Sequence, residues 1–175
     1  MLTTHPTHPA IDWFPSWSPV DGREILFESF RDGETALWIV AATGGEPRRV
    51  TTGDSFSWSP DGQWFAVLRQ GRLFRVPRNG GEAVPLSTSR HEPNTPKVSH
   101  DGGSIYYSVS SGPPADRDLW RLSLTDGAIS RLTRLEGRRG LLGLNFAADA
   151  RYLYFLWWED DGDIWVVDVV PKAAG

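Results

Sequence analysis

The chain has 175 residues, with 18 Lys and Arg against 22 Asp and Glu, for a formal net charge of −4. That balance argues against a nucleic-acid or anionic-membrane surface. The absence of cysteine excludes disulfides, thiolate metal sites and cysteine nucleophiles. Eighteen Gly and thirteen Pro, scattered throughout, argue against long helices. No apolar run is long enough to span a membrane, and the N-terminus lacks the basic-then-apolar pattern of a signal peptide. A cytoplasmic location is expected, or a periplasmic one if a leader has been removed.

In chain order, Met1-Leu2-Thr3-Thr4 leads through an irregular stretch into WSPVDGREILF (17–27), then ALWIV (36–40), then RRVT (48–51). The series restarts as WSPDGQWFAVL (58–68), RLFRV (72–76) and AVPLS (83–87). A third round reads VSHDGGSIYYS (98–108), DLWRL (118–122) and SRLT (130–133). A fourth reads FAADARYLYFL (146–156) and DIWVV (163–167), and stops before any equivalent of RRVT. Asp21, Asp61, Asp101 and Asp149 mark the rounds at intervals of 40, 40 and 48 residues.

Each round reads as strands joined by tight turns. Ser-Pro-Asp-Gly places Pro where φ is already near −65° and Gly where φ turns positive. The runs that follow are apolar on both strand faces, the pattern of a sheet covered on both sides. A four-stranded antiparallel meander every 40–45 residues is the period of a propeller blade. The expected fold is therefore all-β, a β-propeller of four repeats. One domain over 1–175 is expected, with blade 1 about 10–51, blade 2 about 54–88, blade 3 about 96–134 and blade 4 about 144–170 plus 2–4. The N-terminal MLTT would supply the missing outer strand of blade 4 and close the ring, removing exposed sheet edges. The alternative is half of an eight-bladed ring completed by a second chain, with the monomer favoured over a closed homodimer.

The order W-S-P-D-G, apolar strand, L-W-I-V, then G-G-E-P-R-R-V-T resembles the TolB-like β-propeller repeat, a WD-like repeat. Similar repeats occur in the propeller domains of tricorn-like and prolyl-oligopeptidase-like peptidases. The resemblance runs from about residue 2 to residue 170. The third copy replaces Trp-Ser-Pro with Val98-Ser99-His100, and the fourth loses both Pro and Gly at Ala147-Ala148-Asp149-Ala150. The resemblance implies a scaffold for protein–protein contacts.

Residues that recur once per blade are expected to be structural. Trp17, Trp58, Trp38, Trp120 and Trp165 should pack blade against blade, and the four aspartates should hold turns. Residues that break the repeat are the binding candidates, since loops on a rigid scaffold are where binding concentrates. These are His8, Asp12, Trp13, His91, Glu92, Asn94, Arg138, Arg139 and Trp158. The four histidines lie in unrelated loops without ligand spacing, so no metal is expected. Glu159 to Asp163 crowds four carboxylates without the spacing of a calcium loop and reads as a solvated hairpin tip.

There is no G-x-S-x-G elbow, no phosphate loop and no strand–helix unit for a cofactor. No catalytic residue and no cofactor is expected. The sequence thus points to a non-catalytic binding propeller that presents a loop-rich face to a protein or peptide partner, without nucleic acid or membrane insertion. Two alternatives stand beside it. One is a small hydrolase or lyase with a His/carboxylate site, metal-dependent or not, in the central funnel. The other is a fragment of a larger, peptidase-associated propeller.

Overall fold

A computed structural model describes residues 11–86, 93–110, 117–135, 141–158 and 163–169. The first sheet holds β1 (Asp12–Trp17), β2 (Glu24–Ser29), β3 (Ala36–Ala41) and β4 (Arg48–Thr52). The second holds β5 (Ser55–Trp58), β6 (Trp64–Arg69), β7 (Arg72–Pro77) and β8 (Val84–Pro85). The third holds β9 (Pro93–Val98), β10 (Ser104–Ser110), β11 (Arg117–Ser123) and β12 (Ile129–Arg131). The fourth holds β13 (Leu141–Ala148), β14 (Tyr152–Trp158) and β15 (Asp163–Asp168). Each sheet is an antiparallel meander in sequence order, and there is no helix among the described residues. The four sheets are the blades of a β-propeller set around one central channel, with β1, β5, β9 and β13 innermost. The proposed closing strand, Leu2 to Thr4, lies outside the described residues.

The recurring aspartates hold the first turn of each blade. Asp61 Oδ1 accepts the Ser59 hydroxyl at 2.6 Å and the Gln63 amide at 3.0 Å, while Ser59 Oγ accepts the Trp64 amide at 3.0 Å. Asp101, Ser99, Gly103 and Ser104 repeat the same set in blade 3. These donors favour the ionised carboxylate, and the serine hydroxyl leads in holding both Asp61 and Asp101 below the ordinary range. In blade 4 alanine replaces the serine. There Asp149 Oδ1 itself accepts the Arg151 and Tyr152 amides at 2.7 and 2.6 Å, and the Tyr154 hydroxyl reaches Oδ2. The degenerate fourth repeat keeps its turn because the carboxylate takes over the work of the missing hydroxyl.

Strand alternation sends each blade's two apolar faces to different neighbours. Leu26, Leu37 and Ile39 of blade 1 meet Phe65, Val67 and Val76 of blade 2. Trp64, Ala66 and Leu68 on the other side of blade 2 meet Ile105, Tyr107 and Val109 of blade 3. Tyr106 and Leu119 then meet Leu153, Phe155 and Trp157 of blade 4. Trp58, Phe74 and Trp120 all face the preceding blade, as the repeat requires.

Trp17 departs from the expected packing. Its counterpart Trp58 is buried against blade 1, whereas Trp17 is 55% exposed and borders the channel. The exposure is confined to this position, since Ile25 opposite Trp17 and Phe27, Trp38 and Val40 on the same face of blade 1 are buried. Trp58 faces a preceding blade, and no described strand stands in that place for Trp17. At the other end Leu156, Trp158 and Val166 are exposed on the face of blade 4 turned away from blade 3.

Candidate functional site

All four blades contribute to one central cavity of about 610 Å³. Three of the four innermost strands are irregular where they border it. The β1–β2 register shifts between Trp13 and Ser16, β9–β10 between Tyr106 and Ser108, and β13–β14 between Leu142 and Phe146. Phe14 and Thr95 sit at the first two of these with φ of 51° and 46°, and each precedes a proline. A residue before proline favours extended backbone, so both positions hold strain that the surrounding sheet supports. Bulges of this kind turn side chains out of the pleat, here toward the cavity.

Glu28 is the chemically distinctive residue of the cavity wall. It stands near the end of β2, opposite Trp13 on one side and Leu37 on the other, and is 5% exposed. No hydrogen bond or ion pair reaches its carboxyl among the described residues. Burial, and then the Asp54 carboxylate, push its pKa up to about 7. Asp54 is brought beside it by Gly53, whose φ of 152° lets the loop lie flat against β6. A Cβ there would stand 2.5 Å from Val67 Cγ1 and 2.8 Å from the Leu68 carbonyl oxygen. Lys97 lines the cavity from β9, where burial pushes its pKa down. Asn94 and Asn145 add amides, and Phe14 and Trp17 add exposed aromatic rings.

Of the residues expected from the sequence to bind, Asn94 lies in this cavity. Asp12 is engaged by Arg31, whose Nη2 donates to Oδ1 at 3.0 Å while the guanidinium lies 4.7 Å from the Trp38 ring. Trp13 is 38% exposed on β1, and Trp158 is 58% exposed at the end of β14, away from the cavity lining. His8, His91, Glu92, Arg138 and Arg139 lie outside the described residues. Glu28, Asp54, Lys97 and Asn145 were not legible as site residues. Glu28 is hidden within the strand run EILFESF, and its one signal is an acid where the second repeat has Leu68. Among the described residues no group of three or more His, Asp or Glu is placed to hold a metal ion. No helix there is long and apolar enough to cross a membrane.

No protein-family model matches the chain. It is 28% identical over 157 residues to an uncharacterized protein of Agrobacterium fabrum, covering 81% of this chain and 49% of that protein. It is 31% identical over 83 residues to an uncharacterized protein of Escherichia coli, covering 44% of this chain and 20% of the other. A stretch of 58 residues, 30% of this chain, is 47% identical to an uncharacterized peptidase of Bacillus subtilis and covers 9% of it. The chain thus spans about half the length, or less, of the curated relatives it matches.

Among solved structures, a putative TolB from Agrobacterium tumefaciens superposes with a TM-score of 0.70 at 17% identity, covering 93% of this chain and 78% of that one. TolB from Acinetobacter baumannii gives 0.68 at 18% identity, covering 91% of this chain and 41% of that one. A puromycin-hydrolyzing peptidase of Mycobacterium tuberculosis gives 0.57 at 16% identity, covering 85% of this chain and 26% of that one. Four antiparallel blades around a channel, with these neighbours, make the fold that of a TolB-like β-propeller, shared with the propellers of peptidases.

Proposed function

We propose that the chain is a non-catalytic binding propeller that receives a protein or peptide segment at its central channel. The observation that carries this reading is the cavity of about 610 Å³ bordered by all four blades, with buried Glu28 and the amides of Asn94 and Asn145 in its wall. Strained, bulged strands at a cavity are a feature of sites where side chains are held for a ligand. Among the described residues that line it there is no histidine to activate Ser16, Ser55 or Ser57. Similarity to TolB and to a peptidase adds proteins and peptides as the ligand class, by fold analogy.

The test is titration of the chain with a library of blocked pentapeptides, followed by intrinsic tryptophan fluorescence with Trp17→Phe as the control that isolates the exposed ring at the channel. Saturable binding that is lost in Asn94→Ala and Phe14→Ala is expected. Binding that survives both substitutions overturns the channel as the site, and turnover of the added peptides overturns the non-catalytic reading.

A second reading, a section of a larger peptidase-associated propeller, is favoured by the outer face of blade 4. Leu156, Trp158 and Val166 occupy on blade 4 the face that seats the next blade elsewhere, yet are 43–58% exposed. A further blade of the same repeat is the occupant this face fits. Sedimentation of the isolated chain should show self-association that Leu156→Asp with Trp158→Ser abolishes. A monomer at all concentrations counts against this reading.

A further inference from the structure

We infer that the channel takes a cationic side chain, the ammonium of lysine or the guanidinium of arginine, of its polypeptide ligand, received by the carboxyls of Glu28 and Asp54. The inference rests on the peptide-binding reading above and names the chemistry of that same site. Its first ground is that Glu28 is nearly fully buried, borders the cavity, and has no partner among the described residues. A carboxylate withdrawn from water without a counter-ion is costly, and the cost is recovered when a cation reaches it.

Among the described residues no cation pairs with Glu28. Lys97 borders the same cavity but forms no ion pair among the described residues. Arg31, the nearest arginine along the chain, donates to Asp12 and to the Ser29 hydroxyl instead. The second ground is the wall beside the acids. Phe14 and Trp17 are 63% and 55% exposed, and both line the cavity. Aromatic faces next to carboxylates bind alkylammonium and guanidinium groups by cation–π attraction. A side chain with an apolar stem and a charged tip suits a site with aromatic rings and a buried acid at its wall. Burial and the neighbouring Asp54 carboxylate raise the pKa of Glu28, and a cation would bring it down.

Binding should therefore release protons near neutral pH. The charged group that bears on Glu28 in that titration is the Asp54 carboxylate beside it; Lys97 lines the same cavity from β9, and the Asp12–Arg31 pair lies on the opposite face of the blade 1 sheet.

The experiment is calorimetric titration with three blocked pentapeptides, Gly-Ala-X-Ala-Gly, in which X is lysine, norleucine or glutamate. The lysine peptide is expected to bind at least about tenfold more tightly than the norleucine peptide, and the glutamate peptide least. Glu28→Gln should erase the lysine preference. Asp54→Asn, at an exposed position, should reduce it and keeps the test open if the buried substitution fails to fold. Proton uptake or release, read in two buffers of different ionisation enthalpy, should show release for lysine only. Equal binding of lysine and norleucine peptides overturns the cation inference and leaves the peptide reading standing. No binding of any of the three, nor of the library peptides, overturns both. Calcium that binds alone and displaces the lysine peptide would make this a metal site and overturn the inference.

Discussion

The indole N–H of Trp58 donates to the carbonyl oxygen of Ser16 at 3.2 Å, tying the innermost strand of blade 2 to that of blade 1. One blade later the contact recurs in another form, as the Val98 amide donates to the Ser57 hydroxyl at 3.0 Å. These bonds register neighbouring blades along the channel wall, which is where the candidate site lies. The Trp58 ring also meets Phe65 edge-on, with centroids 4.6 Å apart.

Two tryptophans at the same repeat position should therefore differ in cost. Trp58→Ala should destabilise by roughly 3–5 kcal/mol, as for a buried aromatic. Trp17→Ala, at a largely exposed site, should cost less than about 1 kcal/mol. Urea unfolding of the two variants measures the difference, and equal losses would contradict the asymmetry of the end blade.

Gly53→Ala should be destabilising and should also disturb the site. The added methyl meets the Val67 side chain and the Leu68 carbonyl oxygen, and the backbone there has a φ that other residues rarely adopt. A loss of about 1–3 kcal/mol is expected. The loop would lift from β6 and carry Asp54 with it, so the Glu28 pKa, followed by carboxyl NMR shifts, should fall toward its ordinary value.

Glu28 sets a pH dependence with a definite sign. Its pKa in the folded chain, about 7, lies above its ordinary 4.5, so the native state holds the proton more tightly than the unfolded chain does. Stability from this group is full below pH 4.5 and is lost as pH rises through about 7. The loss is on the order of 2–4 kcal/mol. Glu28→Gln should remove that slope, gaining on the parent chain at pH 8 relative to pH 4. Parallel stability curves for the two proteins would place the Glu28 carboxyl in water.

Tyr107→Phe should leave stability unchanged or raise it. The Tyr107 hydroxyl is buried between blades 2 and 3 with no hydrogen-bond partner among the described residues, and burial pushes its pKa up to about 12. Removing an unsatisfied hydroxyl relieves a desolvation penalty of roughly 1–3 kcal/mol, offset by the small void left behind. A loss above about 1 kcal/mol in thermal unfolding would show that the hydroxyl has a partner after all.

Asp118 is 2% exposed and joins three groups: its Oδ1 accepts the Thr133 hydroxyl at 2.8 Å and the Leu135 amide at 2.9 Å, and it pairs with Arg131. Thr133 Oγ in turn accepts the Leu119 amide at 2.9 Å. Asp118→Ala takes the acceptor from the Thr133 hydroxyl and the Leu135 amide and the counter-charge from Arg131, and should cost about 3–5 kcal/mol. Thr133→Val should cost less, and the double variant should cost less than the sum, because the two residues share one network.

The repeat was legible because each blade must solve the same local problems. A turn needs a carboxylate or hydroxyl to meet its free amides and a residue tolerant of positive φ, and Ser18, Asp21, Gly22 and their counterparts carry that need in their identities. A middle strand covered on both faces must be apolar at every position, so runs such as WFAVL announce burial without a partner being known. Even the fourth turn, which lost Pro and Gly, kept the one residue, Asp149, that could hold it.

The site was much less legible, because it is made by residues that local rules assign to something else. Asp12 stood out as an acid in a loop-like stretch, yet Arg31 engages it. Glu28 looked like one polar residue in a strand, and only the approach of Gly53 and Asp54 from the following blade buries its carboxyl beside a second acid. Period, turn chemistry and two-faced strands are properties of neighbouring residues, so the amino-acid order alone determined the blades. Which side chains reach the channel depends on bulges at Phe14 and Thr95 and on blades 40 residues apart in the chain. Burial and electrostatic coupling between such distant groups exist only once the blades are packed, and the tertiary structure alone decided them.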